Sequence, residues 1–180
     1  VNQRELSGLV HLAKAGLVDI AAVGNEVMYR GDLTEEELMN FISYVKSQIP
    51  GVPVGYVDAY YEFTDRPAIA DLCDVILCNC YPFWEGCPFE YSLDYMQQMY
   101  FQAKVAAKGK QVIITETGWP SQGEPVQAAI PAHNHARDYF INAQLWSTNE
   151  NIPLFYFSCF DESWNCLLYT SPSPRDRQKS

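Results

Sequence analysis

Gln111-Val-Ile-Ile-Thr-Glu116-Thr-Gly-Trp-Pro-Ser121 begins as a short apolar run and ends on an acid, an indole ring and two turn formers. A run of this length stopped by Gly and Pro reads as a strand, Gln111 to Thr115, covered on both faces. Four other runs have the same character: Asp19 to Val23, Pro53 to Val57, Asp74 to Cys80 and Pro153 to Phe160. Between them lie amphipathic stretches. Thr34-Glu-Glu-Glu37 is a capping box opening a helix with Leu38, Phe41, Ile42 and Val45 on one face. Leu93, Met96, Met99, Tyr100, Ala103 and Ala107 form a second stripe that ends near Gly109. Pro131 is expected to open a third helix carrying His135, Tyr139, Ala143 and Trp146. A leading helix over Arg4 to Ala15 and a short one over Pro67 to Cys73 complete the set.

Strands alternating with helices call for an α/β fold with a parallel sheet. Two architectures fit: an open doubly wound sheet, or part of a (β/α)8 barrel. The open sheet normally carries a glycine-rich phosphate turn, and neither G-x-G-x-x-G nor G-x-x-x-x-G-K-[ST] occurs. The expectation is therefore an incomplete TIM barrel, with roughly 100 residues, about three βα units, lying upstream. The chain starts at Val1 without a signal-peptide pattern, in keeping with a start inside a longer gene.

The 180 residues carry 12 Lys and Arg against 22 Asp and Glu, a net charge of −10. That balance argues against sequence-independent binding to nucleic acid or to anionic membranes, both of which need basic patches. No run of 18 apolar residues is present to span a bilayer. The segment from about Cys166 departs from the rest, with two Pro, three Ser and three basic residues among the final 12. It reads as a disordered or adapter-derived tail, residues 166–180, behind a folded domain over residues 1–165. Without those 12 residues, 9 basic side chains face 21 acidic ones, or −12.

Two acids end apolar runs at the strand's C-terminal end, where a barrel builds its active site. Glu26 follows Ala21-Ala-Val-Gly-Asn25, and Glu116 follows Val112-Ile-Ile-Thr115. Partial desolvation at such a place separates the pKa values of two carboxyls, as acid/base chemistry requires. Either glutamate alone is equally read as a surface acid at a loop start.

Taken together, Val23-Gly-Asn-Glu26 and Thr115-Glu-Thr-Gly-Trp-Pro-Ser121 resemble the two catalytic signatures of glycoside hydrolase family 17, the β-1,3-glucanases. Asn79-Cys-Tyr-Pro82 resembles the family's Asn-x-Tyr-Pro at strand six. Phe157-Ser-Cys-Phe-Asp-Glu-Ser-Trp164 resembles its strand-eight motif, departing from it at Ser163 and Asn165. The resemblance covers residues 1–165 and implies barrel strands four to eight. It implies a retaining mechanism, with Glu26 as general acid/base, Glu116 as nucleophile, and Asn25 at the sugar 2-hydroxyl. Asn79 belongs to the implied substrate-binding set, and Tyr81 is expected to donate to the nucleophile, a core tyrosine being the alternative. Tyr60, Trp119 and Phe160 are candidate sugar platforms or core rings. Asp161 and Glu162 are candidate ligands for glucosyl hydroxyls, or solvated loop acids. The implied partner is a β-glucan, the implied location secreted or wall-associated, and no cofactor is called for.

Competing chemistries are thinly supported. Cys73, Cys78, Cys80 and Cys87 with His133 and His135 contain no C-x-x-C pair, so no metal site is expected. No G-x-S-x-G elbow marks a serine hydrolase. Within the resemblance, a transglycosylase or a non-catalytic glucan-binding protein would keep the same groove.

Overall fold

The computed structural model describes residues 2–158. In chain order it runs α1 (Asn2–Lys14), β1 (Ala21–Asn25), α2 (Val27–Arg30), α3 (Glu35–Gln48), β2 (Val54–Ala59), α4 (Glu62–Asp65), α5 (Pro67–Leu72), β3 (Val75–Asn79), a 3-10 turn (Phe89–Tyr91), α6 (Ser92–Ala106), β4 (Gln111–Thr117), α7 (His133–Asn149) and β5 (Leu154–Tyr156). The strands form one sheet in sequential order, and the pairs β1–β2, β2–β3 and β4–β5 are parallel. Sequential parallel strands with helical crossovers are the arrangement the alternating pattern calls for.

The described residues divide into two compact units, 2–79 with 100–113 and 80–99 with 114–158, so that β4 begins in one and ends in the other. In the first unit, β2 and β3 pair without interruption from Gly55 opposite Val75 to Ala59 opposite Asn79. Gly55 sits where no side chain fits, because a Cβ there would lie 2.7 Å from the Val75 carbonyl oxygen. Val57, Val75, Leu77 and Ile113 make one apolar cluster, with Ile20 packed against it. On α3, Leu38, Ile42 and Val45 are buried while Phe41 is half-buried. The capping box forms: Thr34 Oγ1 accepts from the Glu37 N–H at 3.2 Å, and Glu37 Oε2 accepts from the Thr34 N–H at 2.8 Å. The Lys110 ammonium closes α5 by donating to the carbonyls of Ala70, Asp71 and Cys73 at 2.7–2.8 Å. Such contacts satisfy the orphan C=O groups of a helix end and favour its dipole.

In the second unit, β4 and β5 pair through Ile114 opposite Leu154 and Thr117 opposite Tyr156, with an irregularity between. Tyr139, Ala143 and Ser147 form the buried stripe of α7, and the Tyr139 hydroxyl lies 2.6 Å from Thr117 Oγ1. That helix starts at His133, after an N-cap at Ala132, so Pro131 precedes the helix and does not occupy its first turn. Among the described residues, no helix is long and apolar enough to cross a membrane.

Candidate active site

Glu26 and Glu116 each stand at the C-terminal end of a strand, and each is part-buried. In the first unit the β1–β2 register shifts between Ala22 and Asn25, directly before Glu26. Such irregularities re-aim the side chains that follow them. Gly24 turns left-handed at φ 85°, and Glu26 itself lies at φ 54°. A left-handed conformation is unfavourable for a residue with a Cβ and persists where its surroundings over-determine it. Here the Glu26 N–H donates to the Val57 carbonyl at 2.8 Å, tying the turn to β2.

The Glu26 carboxylate accepts from Asn79 Nδ2 at 2.9 Å. Asn79 is 2% exposed and directs its amide at the glutamate, which orients Glu26. Arg30 lies 3.9 Å from the other oxygen of Glu26 and is itself 44% exposed, which makes for a weak, screened ion pair. Its guanidinium also donates to the Asn25 carbonyl at 2.7 Å and to Asp32 at 2.8 Å. Asn25 is exposed. Tyr60 is half-buried at the end of β2; its N–H reaches the Asn79 carbonyl at 3.2 Å and its ring meets Tyr61 edge-on.

Two further residues of this unit escaped the sequence reading. Tyr56 and Asp58 lie two apart on β2, on one face, and both are fully buried. The Tyr56 hydroxyl donates to Asp58 Oδ2, while Asp58 Oδ1 accepts from the Ala59 N–H at 2.7 Å. Burial pushes the Asp58 carboxyl above the ordinary carboxylate range, against the pull of its hydrogen bonds from Tyr56 and from backbone N–H groups. Burial, with Asp58 beside it, pushes the Tyr56 phenol up as well. An acid inside the otherwise apolar run Val54-Gly-Tyr-Val-Asp-Ala59 was the available signal.

In the second unit, the Tyr81 hydroxyl donates to Glu116 Oε2 at 2.8 Å, and the Cys80 N–H donates to the Glu116 carbonyl at 2.8 Å. Trp119, three residues on, is 5% exposed. Its ring packs against Phe83, Phe89 and Tyr139, and its Nε1 donates to the Ile130 carbonyl at 3.1 Å. It is a wall that fixes its own loop, with little open face for the platform role. Phe160, Asp161 and Glu162, together with residues 166–180, lie outside the described residues.

A glucan 1,3-beta-glucosidase of Candida albicans is 32% identical over 173 residues, covering 82% of this chain and 54% of the relative. A probable glucan endo-1,3-beta-glucosidase of Emericella nidulans is 29% identical, covering 70% of this chain and 32% of that protein. Among solved structures, an active-site mutant of a Rhizomucor miehei beta-1,3-glucanosyltransferase in complex with laminaritriose superimposes with a TM-score of 0.84 at 32% identity. That match covers 91% of this chain and 63% of the other. The chain thus spans about half the length of the curated glucosidase it matches, and its sheet is part of a (β/α)8 barrel. Because the model of the BtgE/BtgC glycoside hydrolase domain accounts for residues 1–170, the chain belongs to that family, within glycoside hydrolase family 17.

Proposed function

We propose that this chain carries the catalytic residues of a retaining β-1,3-glucan hydrolase. The observation that supports the reading most is that two part-buried glutamates each end a strand and each receive a dedicated side-chain donor: Asn79 for Glu26 and Tyr81 for Glu116. Glu116, oriented by the phenol, attacks the anomeric carbon. As the bond from that carbon to the leaving oxygen breaks, Glu26 in its acid form delivers its proton to that oxygen. Water then gives a proton to the Glu26 carboxylate and attacks the glycosyl ester, freeing Glu116 with the β configuration kept. Asn25 contacts the sugar 2-hydroxyl, and Tyr60 lends an aromatic face to a neighbouring sugar. No step needs a cofactor. The substrate is a neutral polymer, in keeping with the acidic chain, and its size puts the enzyme outside the cell or at the wall.

The test is turnover of a linear β-1,3-glucan by the full-length protein and by Glu116→Ala. Newly released ends are β-anomers, Glu116→Ala is inactive, and added azide restores turnover with an inverted glycosyl azide. Activity that survives Glu116→Ala sinks the assignment. A second reading, transfer to a sugar acceptor in place of water, is favoured by the 32% identity to a beta-1,3-glucanosyltransferase. Products longer than the starting oligosaccharide would mark that outcome.

A further inference from the structure

The four-residue helix α2 starts directly after Glu26, with Glu26 as its N-cap. A helix start leaves its first N–H groups without intrahelical partners, and the side chain at the N-cap ordinarily takes one of them. Glu26 makes no such bond. The two donors are satisfied from another strand: the Met28 N–H donates to the Tyr56 hydroxyl oxygen at 2.8 Å, and the Tyr29 N–H to Asp58 Oδ2 at 3.2 Å. The Tyr56 proton goes on to Asp58, so one hydroxyl accepts from the turn and donates to the acid. Asp58 is anchored in turn by the Ala59 N–H. Both side chains are fully buried, so neither is available to a sugar.

We infer that Tyr56 and Asp58 are positioning residues for Glu26: a cap lent by β2 that holds the left-handed turn and releases the Glu26 carboxylate from its own helix to face the leaving group. This rests on Glu26 being the acid/base. A part-buried carboxylate beside two unsatisfied N–H groups would fold back onto them. With those groups bound elsewhere, one oxygen of Glu26 accepts from Asn79 and the other stays open to the leaving oxygen apart from the loose ion pair with Arg30. The left-handed conformation, costly by itself, is then supported by three bonds to β2: the Glu26, Met28 and Tyr29 N–H groups.

The experiment compares two substrates in the full-length protein, through kcat/KM, which reports the bond-breaking half of the reaction. One is a β-1,3-gluco-oligosaccharide with a sugar leaving group, which needs the acid. The other carries a dinitrophenolate leaving group, which does not. Glu26→Gln is expected to lose on the order of 100-fold or more on the first and little on the second. Tyr56→Phe and Asp58→Asn are expected to show the same selectivity at about 10-fold or more, and Tyr56→Phe also to lose hydrogen-exchange protection at the Met28 amide. Equal losses on both substrates would assign Tyr56 and Asp58 a merely structural role and overturn the inference, as would no loss at all. If Glu26→Gln itself affects both substrates alike, the acid/base reading fails first and the inference falls with it. Should Asp58→Asn not fold, Tyr56→Phe, which removes a single oxygen and keeps the ring, decides the matter alone.

Discussion

The Tyr81 hydroxyl donates to Glu116 Oε2 at 2.8 Å, and the residue just before it is tied to the same glutamate through the main chain, the Cys80 N–H donating to the Glu116 carbonyl. The phenol therefore meets the carboxylate from a backbone already in register with it. A hydrogen bond to a charged acceptor is worth about 1.5–3 kcal/mol. Tyr81→Phe is expected to lower kcat roughly 10- to 100-fold by that amount, with KM little changed, as measured by initial rates on a β-1,3-gluco-oligosaccharide. A wild-type kcat in this variant would remove Tyr81 from the machinery.

Gly55 tests the packing of β2 against β3. An alanine Cβ would lie 2.7 Å from the Val75 carbonyl oxygen and 2.9 Å from a Val75 methyl, so the strands must separate to admit it. Gly55→Ala is expected to destabilise the fold by about 1–3 kcal/mol, the usual cost of overpacking, read from urea unfolding.

Asp58 makes a pH prediction whose sign follows from burial. Its carboxyl is raised in the folded state, so the folded protein binds more protons than the unfolded chain from about pH 3.9 up to the raised value. Its contribution is fully present below that window and declines as pH rises through it. Urea unfolding across the acid range is expected to show wild type losing stability relative to Asp58→Asn as pH increases. The opposite slope would mean that the fold favours the charged form of Asp58.

Cys73 is 1% exposed, and burial pushes its thiol up to about 11. Native protein is therefore expected to leave Cys73 unalkylated by iodoacetamide near neutral pH, with modification appearing after addition of denaturant, followed by peptide mass mapping.

The long-period features were legible in advance because they repeat. Thr34 and Glu37 form the capping box read from their spacing, and the apolar runs coincide with all five strands to within a few residues. The helices α2 and α4 were not legible, since four residues give no periodicity to detect. For the site, the strand-end position of Glu26 and Glu116 could be read from where the apolar runs stop. The contacts around Glu26 could not: Asn79 is 53 residues away in sequence, and Tyr56 and Asp58 act on α2 from about 30 residues away. Trp119 was open to two readings, a sugar platform or a core ring. A ring next to a turn fits either, and the packing of Phe83, Phe89 and Tyr139 against it, which leaves it 5% exposed, comes from segments remote in sequence.

The main chains of both glutamates are rungs of the sheet, Glu26 through its N–H to Val57 and Glu116 through its carbonyl from Cys80. Their reactive ends are thereby reduced to a few side-chain torsions. Evolution of new preferences for chain length or acceptor is then free to work in the connecting segments beyond Tyr81 and Trp119, residues 82–91 and 120–132, where exchanges leave the main-chain anchors of the two acids in place.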